Sequence, residues 1–253
     1  MDSGNEPAYA GESRQTHGTE AERPRRPWIV GVSGASGTPY AAAVLRGLIA
    51  AGESVDLVVS RASRLTLLDE TGVALRDAHW RGDLAQWLAR GADGKPDTFQ
   101  DTPLDGVRYW PAGDLAAGPS SGSYPAKGML IVPASTACVA GVALGLSKDL
   151  LQRTASVTLK ERRPLLVAVR ETPLNGQTLK HLVTLDAAGA AVLPASPAFY
   201  AGATHIQDLV NFVAGRVLDA AGVPHGLYRR WEGELGLARE APEIPAHPNP
   251  RDS

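Results

Sequence analysis

The sequence is poor in cysteine, in aromatic residues and in long apolar runs, and each shortage excludes something. A single cysteine, Cys138, leaves no intrachain disulfide and fits a reducing compartment. No apolar run reaches the ~18 residues of a membrane span. The polar N-terminus lacks the apolar core of a secretory signal. A cytoplasmic protein without a membrane span is the expectation. Net charge is −2, so there is no basic excess of the kind that binds nucleic acid. The six histidines are scattered, and no HExxH, CxxC or Asp-rich calcium loop occurs, so no metal is expected. The dinucleotide pattern GxGxxG is missing too, because the glycines fall at Gly31, Gly34 and Gly37.

What is present is a globular composition, 43% apolar over 253 residues, enough for one core of roughly 200 residues. Residues 1–27 are polar and read as a disordered extension, with Arg23–Pro27 as a solvated linker. Residues 28–226 carry the core, and 227–253 decay into an acidic, proline-bearing tail.

The core opens on WIVGVSGASGTPY, Trp28 to Tyr40. An apolar strand, a glycine turn and an alanine-rich helix in succession form a recipe for holding phosphate: free N–H groups, a positive helix end and small residues. This reads as a mononucleotide or flavin cradle first and an NAD cradle second, against an ordinary strand-to-helix turn. Short apolar runs follow at Val55–Ser60, Val107–Trp110, Gly128–Val132, Leu165–Val169 and Ala190–Leu193, alternating with helical stretches. That alternation predicts an α/β fold with a doubly wound, mainly parallel sheet. Helices are expected over 36–51, 61–71 with Leu65, Leu68 and Ala62 on one side, 84–89, 148–162, 174–187 and 205–220. Gly91–Pro103 and the Gly118–Pro125 segment read as loops. In VPASTAC, Ser135 or Thr136 caps a helix that runs to about Leu144. Two turns bearing hydroxyls, at Ser36 and Ser135, argue for one pocket at the C-terminal ends of the strands. Glu70, at a helix C-terminus where negative charge is disfavoured, is open to a special role or to plain solvation. Arg170-Glu171 reads as an acid–base or phosphate-facing pair, or as an exposed ion pair. Arg216 sits among apolar positions at a register that need not face solvent.

The motifs VSGASGTPY, VVSRAS, SSGS, VPAST, LKERRPLLVAVRETPL and PAFY, with the last helix bearing Arg216, resemble the UbiX-type flavin prenyltransferases. That group belongs to a flavoprotein superfamily that also holds flavin-dependent cysteine decarboxylases. The resemblance runs from about Ile29 to Trp231 and implies a Rossmann-like flavoprotein fold. It implies a metal-independent enzyme that joins dimethylallyl phosphate to reduced FMN, giving prenylated FMN for UbiD-type decarboxylases. It also implies a homo-oligomer, large and symmetric, a dodecamer in the family pattern, with the prenyl site near subunit contacts.

Carried over by position, the resemblance makes Gly34, Ala35, Ser36, Ser60, Ser135, Thr136, Ala137, Cys138 and Arg153 the FMN contacts. Tyr200, Arg216, Lys160, Glu171 and Glu70 become the residues around dimethylallyl phosphate. Glu171, Lys160 and Ser36 are the implied catalytic residues. The types suit the chemistry: breaking an allylic C–O bond leaves a cation and a phosphate, which Lys160, Arg216 and Tyr200 would stabilise. A carboxylate at Glu171 would exchange a proton with that phosphate. One departure is Cys138, where the family commonly has Thr, a better donor by about 1 kcal/mol of net hydrogen bonding. Two alternatives stand beside this reading. A decarboxylase of the same superfamily would carry a PASANT-like turn and a PxMNxxMW-like clamp, but this chain has PASTAC and RETPLNGQTL. A non-catalytic FMN-binding protein would not need Lys160, Glu171, Tyr200 and Arg216 together.

Overall fold

A computed structural model of the chain describes residues 25–96 and 102–231. Six strands are present: β1 (Trp28–Val32), β2 (Val55–Val59), β3 (Val107–Pro111), β4 (Gly128–Ala134), β5 (Leu165–Val169) and β6 (Ala191–Pro194). The helices are α1 (Thr38–Ala50), α2 (Arg61–Thr71), α3 (Trp80–Leu88), α4 (Thr136–Ala143), α5 (Leu150–Lys160), α6 (Gly176–Ala187) and α7 (Ile206–Ala220). The strands form one sheet in the order β3-β2-β1-β4-β5-β6, and every pairing is parallel.

The central strands read as continuous apolar runs because both their faces are covered. On β1, Val30 and Val32 face a core shared with α1, α3 and α7, while Ile29 faces a second core beneath α4, α5 and α6. β4 divides the same way, Leu130 and Val132 to one side, Met129 and Ile131 to the other. The chain winds outward from β1 in one direction, then crosses back to wind through β4 in the other. The crevice between the C-terminal ends of β1 and β4 is therefore the switch point where such sheets take ligands.

Several helix boundaries differ from the sequence reading, each for a local reason. α3 begins at Trp80, earlier than 84, after a short 3-10 turn at Asp77–His79. α5 begins at Leu150 because the Asp149 carboxylate accepts the Gln152 N–H at 2.9 Å and caps it, leaving Lys148 in the preceding loop. α6 begins after Asn175, which accepts the Thr178 N–H at 2.9 Å. The side of α2 is also corrected: it buries Ser63, Leu67 and Thr71, while Leu65 and Leu68 are exposed. Ser63 turns inward because its hydroxyl donates to the Val32 and Ser60 carbonyls, both at 2.8 Å.

Most of the expected N-terminal extension and of the loop tip after Pro96 lies outside the described residues, and so does the tail beyond Trp231. Arg25, expected in a solvated linker, is instead anchored. Its guanidinium pairs with the buried Asp56 at 2.6 Å and donates to the Val55 and Gly106 carbonyls. Asp56 also accepts the Tyr124 hydroxyl at 2.6 Å. A carboxylate buried at the start of β2 needs those partners, since an unpaired one would cost several kcal/mol. Similarly, Leu227 and Tyr228, placed in the tail by sequence, pack against the α1–α7 side of the molecule.

Candidate functional site

A cleft of about 650 Å³ opens at the switch point. Its floor is the end of β1 and the end of β4, stitched together by Ser33. That hydroxyl donates to the Pro133 carbonyl at 2.9 Å and accepts the Ser135 N–H at 2.7 Å. Ser33 is buried, and it explains why a hydroxyl rather than a glycine follows β1 here. The walls are Gly34, Ser60, Arg61, Ala62 and Leu65 on one side, Ala112 and Gly113 at the end, and Ser135, Ala137, Cys138, Lys148, Asp149, Leu151 and Gln152 on the other.

The two turns foreseen at Ser36 and Ser135 do meet at this edge. α4 starts beside the cleft with Ser135 as its cap, accepting the Cys138 N–H at 3.2 Å. The N–H groups of its first turn have no intrahelical carbonyl to bond, and they carry the positive end of the helix dipole. Gly34 is required by closeness: a Cβ there would stand 2.5 Å from that of Ala62. Ser60 lines the cleft, though its hydroxyl is spent as the cap of α2, accepting the Ser63 N–H at 3.2 Å.

Glu70 turns out to be a helix cap supplied from a distance. Its Oε1 accepts the Gly37 N–H at 2.8 Å, and its Oε2 accepts the Thr38 N–H at 2.8 Å and the Thr38 hydroxyl at 2.6 Å. α1 has no side-chain cap of its own, so this carboxylate at its positive end resolves the dipole puzzle raised by its place at the end of α2. Burial raises the Glu70 pKa, but hydrogen bonds from the Ser36 and Thr38 hydroxyls and from the Gly37 and Thr38 N–H groups outweigh it, and the net shift is downward. Ser36 itself is exposed and does not line the cleft; its carbonyl accepts from Arg170 Nε at 3.1 Å. Arg170 thus ties the first turn to the end of β5, a contact across the chain that the Arg170-Glu171 pair in RETPL does not announce. Glu171, next to it, is exposed at the same edge and lines a smaller adjoining hollow with Arg170, Thr172 and Pro194.

Cys138 is buried, and its thiol is pushed up to about 12 by that burial and by the Asp149 charge, against a hydrogen bond with Ser33. It is a neutral wall of the cleft. Thr136 and Ala35 belong to the same two turns without lining the main cleft.

Four expected residues lie elsewhere in the same chain. Lys160 ends α5, whose first residues line the cleft, so it stands about 15 Å along the helix at 1.5 Å per residue. There it pairs with Glu161 beside Gly122. The SSGS loop is found at that same N-terminal edge of the sheet, held by Arg163 through the Gly122 and Tyr124 carbonyls. Arg153, midway on α5, donates to the Ser120 carbonyl at 3.1 Å and is not part of the cleft lining. Tyr200 stacks edge-on against Phe212 of α7 and against Trp231, each with ring centres 5.7 Å apart. Arg216 is exposed, contrary to the expectation that it need not face solvent: its guanidinium reaches past the apolar stripe of α7 to Asp219 at 3.0 Å.

The donor set fits FMN. Apolar walls from Ala62, Leu65, Ala112 and Leu151 suit a flat ring system, and the hydroxyls, the α4 N-terminus and Arg61, Lys148 and Gln152 offer donors around it.

Comparison with known proteins agrees with this geometry. A family model described as Flavoprotein matches residues 16–218. The flavin prenyltransferase UbiX of Streptomyces coelicolor is 86% identical over 213 residues, covering 84% of this chain and 98% of that protein. A solved structure of AnUbiX (PadA1) in complex with FMN and dimethylallyl pyrophosphate superposes with a TM-score of 0.69 at 35% identity, covering 83% of this chain and 99% of the other. A dodecameric FMN-dependent Ubix-like decarboxylase from Escherichia coli O157:H7 gives a TM-score of 0.68 at 33% identity, covering 82% of this chain and 100% of the other. With its switch-point cleft, its two hydroxyl-bearing turns and these likenesses, the chain belongs to the flavoprotein family and, within it, to the UbiX flavin prenyltransferases.

Proposed function

We propose that the chain transfers the dimethylallyl group of dimethylallyl phosphate to reduced FMN, giving the prenylated FMN used by UbiD-type decarboxylases. The observation that carries this reading is the 86% identity to a flavin prenyltransferase across 98% of its length. Bound FMN would supply the electron-rich ring that accepts the prenyl group. The work of the protein is to hold that ring, to orient the allyl phosphate and to take up the charge that leaves.

For the first task the reading uses Gly34, Ala35 and Ser36 in the first turn, Ser60 beside it, and Ser135 through Cys138 at the start of α4, with Arg153 added from the resemblance. Helix-end N–H groups are suited to anionic or strongly accepting edges. For the third task it uses Lys160, Arg216 and Tyr200. As the allylic C–O bond breaks, the electron pair stays with the phosphate oxygen, and charge-assisted donors in a site closed to water stabilise it. Glu171, at the edge of β5, exchanges a proton with that phosphate. Glu70 acts on the same site indirectly, by fixing the turn that carries Ser36.

Because Lys160 stands at the opposite edge of its own sheet, we assign it, with Tyr200 and Arg216, to the cleft of a second copy. The dodecameric E. coli homologue supports such an assembly. Among the described residues no helix is long and apolar enough to cross a membrane. A cytoplasmic setting is proposed from the single thiol and the need for reduced flavin.

The test is the mass of the cofactor. Protein given anaerobically reduced FMN and dimethylallyl phosphate is expected to release a flavin heavier by one prenyl unit. Unmodified FMN after prolonged incubation of folded protein overturns the reading. Glu171→Gln is expected to keep FMN and to slow transfer by about a hundredfold or more, the scale of a lost general acid–base group. Loss of FMN binding instead would show that Glu171 is misassigned.

A further inference from the structure

Asp219, near the end of α7, gathers four donors from two stretches of chain. Its Oδ2 accepts from Arg216 Nη1 at 3.0 Å and from the Tyr228 hydroxyl at 2.5 Å. Its Oδ1 accepts from Arg230 Nη2 at 2.7 Å and from His225 Nε2 at 3.0 Å. The His225 Nδ1 accepts the Leu227 N–H at 3.2 Å, which leaves Nε2 as the donor toward Asp219. Burial opposes the charge on Asp219, but hydrogen bonds from Tyr228, Arg230 and His225 prevail and hold it at about 2. It is a carboxylate at any working pH.

Two guanidinium groups against that one carboxylate leave a positive charge in excess. Each arginine gives Asp219 one terminal nitrogen, and each side chain remains more than half exposed, 56% for Arg216 and 57% for Arg230. Beside them runs an aromatic wall. Phe212 lies 4.9 Å from Tyr228 and 5.7 Å from Tyr200, and Tyr200 lies 5.7 Å from Trp231, centre to centre. The Arg230 guanidinium itself stands 5.8 Å from the Tyr228 ring centre. Paired cations next to an exposed aromatic surface match the two halves of an allyl phosphate: an anionic end and an apolar end that becomes cationic.

We propose that Asp219 is a positioning residue that holds Arg216 and Arg230 as a two-guanidinium clamp for the phosphate end of the allyl donor, so that Arg230 is a second phosphate ligand. This rests on the assignment of Arg216 made under the proposed function. A lone flexible arginine loses rotamer freedom when it binds; one already tied to a fixed carboxylate has lost part of it beforehand.

The test is steady-state prenyl transfer with dimethylallyl phosphate, with inorganic phosphate as a competing ligand. Arg230→Gln is expected to raise both the KM for dimethylallyl phosphate and the inhibition constant of phosphate by about tenfold, as for a lost charge-assisted contact. FMN affinity and Tm should stay as they were. Asp219→Asn is expected to raise both constants further, and Asp219→Glu to recover part of the loss. Unchanged constants in Arg230→Gln overturn the clamp, whether or not Asp219→Asn folds. A lower Tm in Asp219→Asn or Asp219→Glu with unchanged constants makes Asp219 purely structural and overturns its positioning role. Arg216→Gln separates the two levels. If it leaves both constants unchanged, the assignment of Arg216 has failed and the clamp with it; if it raises them while Arg230→Gln does not, only the clamp has failed.

Discussion

The two edges of the sheet are built from different chemistry. At the C-terminal edge the polar groups are hydroxyls, backbone N–H groups and helix ends: Ser33, Ser60 and Ser135 close to glycine and alanine. Two carboxylates there are spent on structure, Glu70 capping α1 and Asp149 capping α5. At the N-terminal edge the contacts are ionic: Arg25 with Asp56, Lys127 with Glu53, Lys160 with Glu161, and Arg163 on the SSGS loop. The first edge suits a flat ring system, and the second is held by ion pairs, that of Lys160 among them. One chain therefore holds Lys160 and the cleft at opposite edges of its sheet, and the proposal that a second copy completes the site rests on that separation.

Four substitutions sharpen or break that contrast. Lys160→Ala should have the largest effect. Transfer should fall by about a hundredfold or more, as when a transition-state electrostatic donor is removed, with FMN affinity unchanged. Lost FMN binding in this variant would mean that Lys160 holds the flavin rather than the leaving phosphate. Gly34→Val comes next and acts on the other half. Its side chain must displace Ala62, at an overpacking cost of about 1–3 kcal/mol, so FMN binding should weaken by about tenfold or more while the circular dichroism of the sheet persists.

Glu70→Gln tests how the C-terminal edge is held. The folded pKa of Glu70 is lowered, so its contribution to stability is present above the unfolded value, about 4.3, and is lost as pH falls below it. Wild-type Tm should drop through that window. The Gln variant should begin lower at neutral pH and lack that part of the drop; parallel curves would contradict the assignment. Cys138→Thr should be the smallest change. A hydroxyl at this wall offers a better donor, so FMN should bind about fivefold more tightly, the equivalent of ~1 kcal/mol, by fluorescence titration. Looser binding would mean the buried thiol is there for packing alone.

The fold was readable because its signals are local. Apolar runs such as LLVAV and GMLIV, each ending in a turn, dictate buried parallel strands, and all six appeared within a residue or two of their expected places, apart from a later end to β4. The cleft was readable for the same reason, since a strand, a small-residue turn and a capped helix are contiguous in sequence. What stayed hidden depends on contacts across the chain. Nothing in the sequence near Glu70 announces that its carboxylate will cap a helix 32 residues earlier. The burial of Asp56 likewise drew Arg25 out of what looks like a linker. Leu65 and Leu68 look like a core stripe, but α2 turns its small polar side inward because Ser63 has carbonyl partners there. For the site residues, Lys160 and Glu171 are only eleven positions apart in one motif, yet β5 runs between them and sets them at opposite edges of the sheet.

The division of the site between copies is tested most directly by mixing two crippled subunits. Gly34→Val protein, impaired in FMN binding, and Lys160→Ala protein, impaired in transfer, are unfolded together, reassembled and assayed for prenylated FMN. Some reassembled sites would then pair an intact Gly34 turn from one subunit with an intact Lys160 from another. Activity well above the sum of the two separately reassembled variants is the predicted result. Activity no greater than that sum, in assemblies shown to contain both subunits, would contradict the account.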